Sequence, residues 1–477
     1  MHRASLSILL ASLFANPFAI QTVAAPLTLQ DYLQQVKTQS PGYQASQSTV
    51  EGSEQSARDG ELQYIPKLSL SASHLNDRRE VAGFFQGSKT IADNFSLGIE
   101  KQFEFGLKSK LSYTLLSNNQ FNLPATIPGG AFKFVQGNTQ LDLEQPLWKN
   151  FFGKETRALS DRDEATSLQT HFLERLNSKR ILAQAESAYF RLAIARESVR
   201  LQQEVLDRSK KILDWSTKRV KSNLADKSDM LQARAAYQLR QIELENNKNE
   251  LRAAGLAFNI LRNSSQEVVS DDLASIDTRQ ILTLKAPPRS EKTDDVAAAE
   301  QAERLATANQ ETQLQKTQPE LVLFSTLAVN GVDNYLSPAL AQSLTTANPM
   351  YMVGVRFSMP LYFWETSEIR AGRVKQQLAA ESNTRQKRLE SDQTWTDLNQ
   401  KLIEAKERLK MADELVQAQK EKLDHEKTRF NLGRTTTYQV LTFEQDYASA
   451  LIIRLKIEQE IISTYAQLKV FAESDPT

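Results

Sequence analysis

Two kinds of hydrophobic pattern divide this chain. Apolar residues recur every seventh position at Ala185, Leu192, Val199, Leu206, Leu213 and Val220. They do so again at Trp395, Leu402, Leu409, Val416, Leu423 and Phe430. A second series follows each: Met230, Tyr237, Leu244, Leu251 and Phe258, then Val440, Tyr447, Ile461 and Leu468, where only Arg454 interrupts. Sustained heptads predict long helices packed along narrow seams. The breakers agree, because Lys154 to Ala254 holds neither Gly nor Pro and Arg373 to Asp475 holds only Gly433. The other territory alternates. Leu68, Leu70 and Ala72 are interleaved with Ser69, Ser71 and Ser73, and Phe95, Leu97 and Ile99 with Ser96, Gly98 and Glu100. Leu111, Tyr113 and Leu115 follow the same rule, as do Leu141 and Leu143, Leu321 to Val329, and Tyr351 to Met359. A period of two predicts strands with one apolar and one polar face.

The two heptad territories are copies of one another, offset by 210 residues. Leu213-Asp214 matches Leu423-Asp424, Arg219-Val220 matches Arg429-Phe430, and Tyr237 matches Tyr447. Asn223 and Gly433 fall at the same place, and both residue types suit a left-handed helix end. Each copy therefore predicts a helical hairpin that reverses at a tight turn. The incoming arm, Glu155 to Val220, spans about 100 Å at the helical rise.

The expected layout starts with a signal peptide over 1–25, an N-terminal helix over 26–63 and a first strand group over 64–147. A helical hairpin over 148–262 turns at 222–228, and an irregular segment over 263–290 leads to a helix over 291–318. A second strand group over 319–364, a second hairpin over 365–472 turning at 432–438 and a tail over 473–477 complete it. Two readings of 263–290, which contains Pro287-Pro288, stand open: structure packed around the middle of the stalk, or a loose linker.

The signal peptide rests on Met1-His2-Arg3 followed by a mostly apolar run, with small residues Thr22, Ala24 and Ala25 before Pro26. Beyond it no apolar stretch approaches the ~20 residues of a membrane helix, so a membrane role requires β-strands. Strands of about ten residues with one apolar face suit a barrel with lipid outside and water inside. A soluble sandwich shows the same alternation, and export, the long helices and the aromatics favour the barrel. Trp148, Phe151 and Phe152 follow Pro146, and Tyr362, Phe363 and Trp364 follow Pro360, where strands give way to helices and an interfacial girdle belongs.

Charge and composition narrow the chemistry. The chain balances 58 Lys and Arg against 58 Asp and Glu, which argues against a nucleic-acid binder. It has no Cys, which excludes disulfides, thiolate metal sites and attachment of lipid at a cysteine. The four His (His2, His74, His171 and His425) are scattered and form no paired-ligand pattern. Gly83-x-x-x-Gly87-Ser88-Lys89-Thr90 has the wrong spacing for a phosphate-binding loop and reads as an exposed connection. No catalytic constellation and no cofactor site emerges.

Taken in order, these features resemble the TolC-like outer membrane efflux protein family, the outer membrane factors. Leu27 to Leu33 with Ser40-Pro41 is similar to that family's opening helix. Pro66-Lys67-Leu68 and Pro319-Glu320-Leu321 resemble its helix-to-strand entries, and Gln145-Pro146-Leu147 and Met359-Pro360-Leu361 its strand-to-helix exits. Arg219 to Leu231 and Arg429 to Leu441 resemble its R-[FY]-x-x-G-x(5)-D-V-L turns. The resemblance implies a membrane β-barrel plus a long α-helical barrel, an internally duplicated chain whose strands are shared in a homotrimer embedded in outer-membrane lipid. It implies a passive exit duct for drugs or proteins, in tripartite efflux or type I secretion, with a periplasmic adaptor (a membrane fusion protein) and an inner-membrane pump. The alternative from a different class is a periplasmic coiled-coil scaffold with a soluble β-domain.

Two departures from the family stand out. The first strand group offers four strands where two are usual, the extra pair running from Phe95 to Leu115 with its turn at Phe105-Gly106. Members with an acidic ring carry two Asp just past the second turn, where this chain has Gln439 and Thr442, while the first repeat keeps Asp229. The candidate gate is therefore Asp226, Asp229, Gln439 and Thr442. The candidate turn and adaptor-docking residues are Arg219, Asn223, Leu224, Arg429, Gly433 and Arg434.

Overall fold

Heptads become helices of unusual length. In the computed structural model, which describes residues 26–79, 88–121, 131–274, 278–361 and 363–473, α3 runs Lys154–Lys221 and α8 runs Phe363–Asn431. Their return arms are α4 (Lys227–Leu261) and α9 (Thr437–Lys469). At 68 and 69 residues the two outgoing helices each reach about 100 Å. The predicted signal peptide, Gly83, Gly87 and Tyr362 lie outside the described residues.

The heptad positions bury unevenly. Leu402, Leu409, Leu423, Val440, Ile461 and Leu468 are buried, as are Ala185, Leu192, Leu244 and Phe258. Toward the first turn, Leu206, Leu213 and Val220 are only half-buried, and the covered line there is Gln202, Ser209 and Ser216. Arg454, the one break in the pattern, is neutralised in place by Asp413 of α8 at 2.6 Å and Glu458 at 3.1 Å.

The N-terminal region is two helices, not the single one expected. α1 (Leu29–Gln39) is capped by Thr28, and α2 (Pro41–Ser56) starts at a proline. Pro41 has no N–H to give the preceding helix and pushes Ser40 into an extended conformation, so the chain restarts there. A 3₁₀ segment, Ala57–Tyr64, leads into the strands.

Six strands form one antiparallel sheet in chain order: β1 (Lys67–Asp77), β2 (Lys89–Gln102), β3 (Lys108–Phe121), β4 (Ala131–Pro146), β5 (Glu320–Asp333) and β6 (Pro349–Ser358). Register sorts the side chains into two faces. Leu68, Ile99, Leu111, Leu141, Leu327 and Tyr351 form one row across all six strands. Ser71, Ser96, Thr114, Asn138 and Asn330 form a row on the opposite face. The apolar face leaves Leu70 80% and Tyr351 81% exposed. The opposite face bears an open hollow of about 470 Å³ lined by Ser73, Asn94, Thr114, Gln136 and Asn138 together with Leu75, Ala92 and Leu116.

One short helix was not foreseen. α7 (Leu336–Ser343) joins β5 to β6 and lies on the face of the apolar row. Gly137 and Gly331 are register partners, and a Cβ on either would fall within 2.6 Å of α7. Two bare backbones thus make a notch, which Ser343 closes by accepting a bond from Thr139 Oγ1 at 2.9 Å.

The described residues of 263–290 pack onto the long helices rather than dangling from them. Arg196 of α3 donates to the carbonyls of Asp271 and Val269 at 2.7 and 2.6 Å, and Leu27 bridges Leu273. The small helix α5 (Thr278–Thr283) places Ile281 in a core with Leu398, Leu402, Leu409 and Ile461. A second core joins Tyr32 and Val36 to Ala185, Leu192 and Phe258; Tyr32 stacks on Phe258 at 4.0 Å and donates to its carbonyl at 2.9 Å. Burial pushes the Tyr32 hydroxyl's pKa above its ordinary value. Finally α6 (Asp294–Lys316) bridges α3 and α8; its buried Asp294 pairs with Lys179 at 2.8 Å.

Candidate functional site

Both hairpins end in the same motif. After α3, Asn223 N–H donates to Val220 O at 3.0 Å and Leu224 N–H to Arg219 O at 2.9 Å. After α8, Gly433 N–H donates to Phe430 O and Arg434 N–H to Arg429 O, each at 2.9 Å. This paired closure needs a left-handed residue, and Asn223 and Gly433 supply it at φ 57° and 70°. Each arginine then reaches over the turn: Arg219 to Leu224 O at 3.1 Å, and Arg429 to Arg434 O at 3.4 Å. The duplicated Arg and Asn/Gly pair is therefore a structural lock, and it leaves Leu224, Leu432 and Tyr438 exposed at the tips.

The return helices begin one residue before the predicted turn ends. Asp226 caps α4 by accepting from Ser228 N–H at 2.8 Å, and its repeat partner Thr436 caps α9 through Gln439 N–H at 3.3 Å. That backbone bond holds the Asp226 carboxyl below the usual range. Asp229 and Gln439, half-buried, share the next turn of each helix. Thr442 sits one turn further on and bonds Tyr438 O at 2.9 Å. With Tyr438 and Gln445 it lines a groove of about 280 Å³ against Gln232, Ala236 and Arg240 of α4. Of the candidate gate residues, the structure sets Thr442 against the first hairpin and engages Asp226 in capping.

Sequence reasoning missed the contacts that tie the hairpins together near these tips. Glu444 of α9 is only 4% exposed, yet it pairs with Arg208 of α3 at 3.0 Å and Lys427 of α8 at 2.9 Å. Trp215 packs on Phe430 at 4.1 Å with the Arg219 guanidinium 4.6 Å above its ring. Ser216 and Thr437 meet at 3.4 Å.

At the other end, Trp148, Phe151 and Phe152 are all about half exposed around the strand–helix junction. Trp148 bonds Gln318 at 3.3 Å, and the Phe rings stand edge to face at 4.7 Å. Phe363 and Trp364 open α8. Among the described residues no helix is long and apolar enough to cross a membrane, and no group of His, Asp or Glu has a metal-holding arrangement.

Replacing Gly433 tests the tip lock. No neighbour lies within 4 Å of its would-be Cβ, so the cost of Gly433→Val is backbone strain alone, about 1–3 kcal/mol. Gly433→Asn should be tolerated, because the first repeat already uses Asn at this site. Thermal unfolding and export at equal protein levels are the measurements; equal losses for both substitutions contradict the assignment.

No family model and no characterised relative matches the chain by sequence. Its fold, however, is that of known outer-membrane channels. It is similar to the outer membrane protein VceC of Vibrio cholerae at 14% identity and TM-score 0.66, covering 93% of this chain and 96% of that one. The Campylobacter jejuni CmeC outer membrane channel matches at 13% identity and TM-score 0.64 over 98% and 94%. The Neisseria gonorrhoeae MtrE channel, in its open state, matches at 14% identity and TM-score 0.63 over 93% and 88%. The chain thus shares the fold of these outer-membrane channels, a six-stranded antiparallel sheet continued by two long helical hairpins.

Proposed function

We propose that this protein is an outer-membrane exit duct: a passive channel, built by three copies, that carries drugs or proteins from a periplasmic pump complex to the outside. The observation that carries the reading is the sheet. One face carries an apolar row that crosses every strand, from Leu68 to Tyr351, the opposite face carries a polar row from Ser71 to Asn330 across five strands, and β1 and β6 are left with open edges. Lipid tolerates no open edge, so the sheet must close with copies of itself. Helices of about 100 Å continue the wall away from the membrane, and their exposed tips form the surface for a periplasmic adaptor. Transport energy comes from an inner-membrane pump.

Fractionation and mass test this. The protein should require detergent for extraction and behave as a homotrimer with a hollow stalk. Release by high salt alone, or a monodisperse monomer, would favour the periplasmic scaffold instead.

The gate carries its own prediction. In a trimer the level just past the turns holds three Asp229 and three Gln439, half the carboxylates of an acidic ring. Attraction for a multivalent cation falls with that number, and salt weakens it further. Gln439→Asp combined with Thr442→Asp should therefore strengthen block of bilayer conductance by a trivalent cation added at the tip side. Equal block in parent and variant would remove these two positions from the constriction.

A further inference from the structure

The face of the apolar row has a polar border, and α7 lies just beneath it. Toward the end remote from the long helices, His74, Asp93, Ser117 and Asp333 fall in one register row, interrupted only by Val135. His74 and Asp93 pair there at 2.7 Å. The next row inward is Ala72, Phe95, Leu115, Gly137 and Gly331, and the one after it Leu70, Leu97, Tyr113, Thr139 and Val329. On β2 and β3 the apolar band ends at Lys101 and Ser109. From Lys101 to Asp93 is about 27 Å of strand, or about 21 Å upright at a tilt of about 40°. That is close to the ~25 Å apolar band of a membrane barrel. α7 is seated in the notch at Gly137 and Gly331, and its Ser343 also meets Tyr113 Oη at 3.2 Å and Thr139. It therefore occupies the last two rows of the band on β4 and β5.

Nothing in this connection is charged. Between Asp333 and Arg356 the chain has no Asp, Glu, Lys, Arg or His. Ala339 and Ser343 are buried against the sheet, whereas Tyr335, Leu336 and Leu344 are 75%, 50% and 71% exposed. The backbone is closed inward. Ser343 O accepts from Thr139 at 2.9 Å, Leu340 O from Ser343 Oγ at 2.8 Å, and Gln342 O from Thr345 N–H and Oγ1 at 3.1 and 2.8 Å. At the other end Asp333 accepts from Tyr335 N–H at 2.9 Å, and Pro338 has no N–H to satisfy. Poorly hydrated surroundings demand such closure. Full immersion in hydrocarbon is excluded, because the irregular turns on either side of α7 would be carried in with it. A helix along the boundary of headgroups and acyl chains meets no such objection.

We propose that α7 is an interfacial helix that lies in the outer leaflet, with Tyr335, Leu336 and Leu344 turned into lipid. Its exposed side chains continue the apolar surface of Leu70, Leu97 and Val329 up to the polar border. A second copy of the chain is the other candidate occupant. New strands join at the edges, β1 and β6, whereas α7 rests on β4 and β5, inside the edge, so extending the sheet leaves it uncovered. The inference rests on the outer-membrane duct proposed above. It gives the barrel a marker at its outer border, opposite the aromatic cluster at Trp148.

The chain has no Cys, so an introduced thiol carries a single fluorophore at a known place. Full-length Leu344→Cys and Leu336→Cys, labelled with an environment-sensitive dye, are reconstituted into phosphatidylcholine vesicles that contain a nitroxide lipid. Leu111→Cys, within the apolar band, and Ser112→Cys, on the polar face, are the references. Both α7 labels should be quenched about twofold or more by a nitroxide high on the acyl chain, less by one at its end, and little by iodide. Leu111→Cys should show the reverse depth order, and Ser112→Cys should respond to iodide. With Leu111→Cys quenched by lipid, quenching of both α7 labels by iodide alone makes α7 a water-facing loop and overturns the proposal. Insensitivity of both to iodide and nitroxide alike makes it a contact covered by a second copy, and overturns it too. Failure of the membrane reading itself is distinguished by Leu111→Cys, which then escapes every nitroxide lipid.

Discussion

Gly153→Val should abolish assembly, the largest single-residue effect we expect in this molecule. Gly153 precedes α3 at φ 81°, in a stretch where Asn150 and Phe152 are also left-handed. A Cβ there would lie 1.8 Å from Glu104 O and 3.0 Å from Phe105 Cα. Those atoms belong to the turn between β2 and β3, so backbone lies directly on backbone with no flexible side chain to yield. Gly106, at φ 87°, makes the same approach from the other side, with Gly153 N 3.2 Å from its would-be Cβ. Backbone strain of about 1–3 kcal/mol and overpacking of about 1–3 kcal/mol then act together at the point where sheet joins stalk. The expected result is loss of detergent-extractable oligomer and degradation of the chain. Gly372→Ala is the control: it lies within α8 with no neighbour in reach, and should be neutral or stabilising by up to about 1 kcal/mol. Normal assembly of Gly153→Val would show that the β2–β3 turn does not seat on this junction.

How far the sequence revealed this architecture depended on the range of the cause. The helices follow from heptads and the missing breakers, both local properties. The tips were legible because Asn223 and Gly433 announce left-handed ends and the 210-residue offset doubles the signal. All six strands follow from alternation, including the additional pair at Phe95 to Leu115. Pro41 was a readable start signal, and treating 26–63 as one helix overlooked it. α7 was not readable, since its eight residues are held by a notch that Gly137 and Gly331 form from different halves of the chain. The contacts around Glu444 were hidden for another reason. Charged residues are abundant on these helices, and nothing local marks Arg208, Lys427 and Glu444 as partners from three different elements.

That trio carries the last expected result, an opened tip. Glu444 is the only one of the three that is fully covered; Arg208 and Lys427 are 28% and 36% exposed. Removing the carboxylate leaves two cations facing each other across the contact between hairpins. Breaking a fully buried pair costs about 3–5 kcal/mol, but here both cations can turn toward water, which brings the figure down to about 1–3 kcal/mol. Glu444→Gln should thus lower the unfolding midpoint modestly. Its larger effect should be on conductance, since this contact joins α3 to both helices of the second hairpin near the tips, the end where the proposed duct would narrow. Lys422→Ala, which removes an exposed pair with Asp446, should leave conductance unchanged. Coupling is the sharper measure. Arg208→Met and Glu444→Gln act on one contact, so the double variant should open the tip little more than Glu444→Gln alone. Additive effects on conductance, or closed-state conductance like that of the parent in Glu444→Gln, would mean that this carboxylate merely fills the space between hairpins and does not hold them shut.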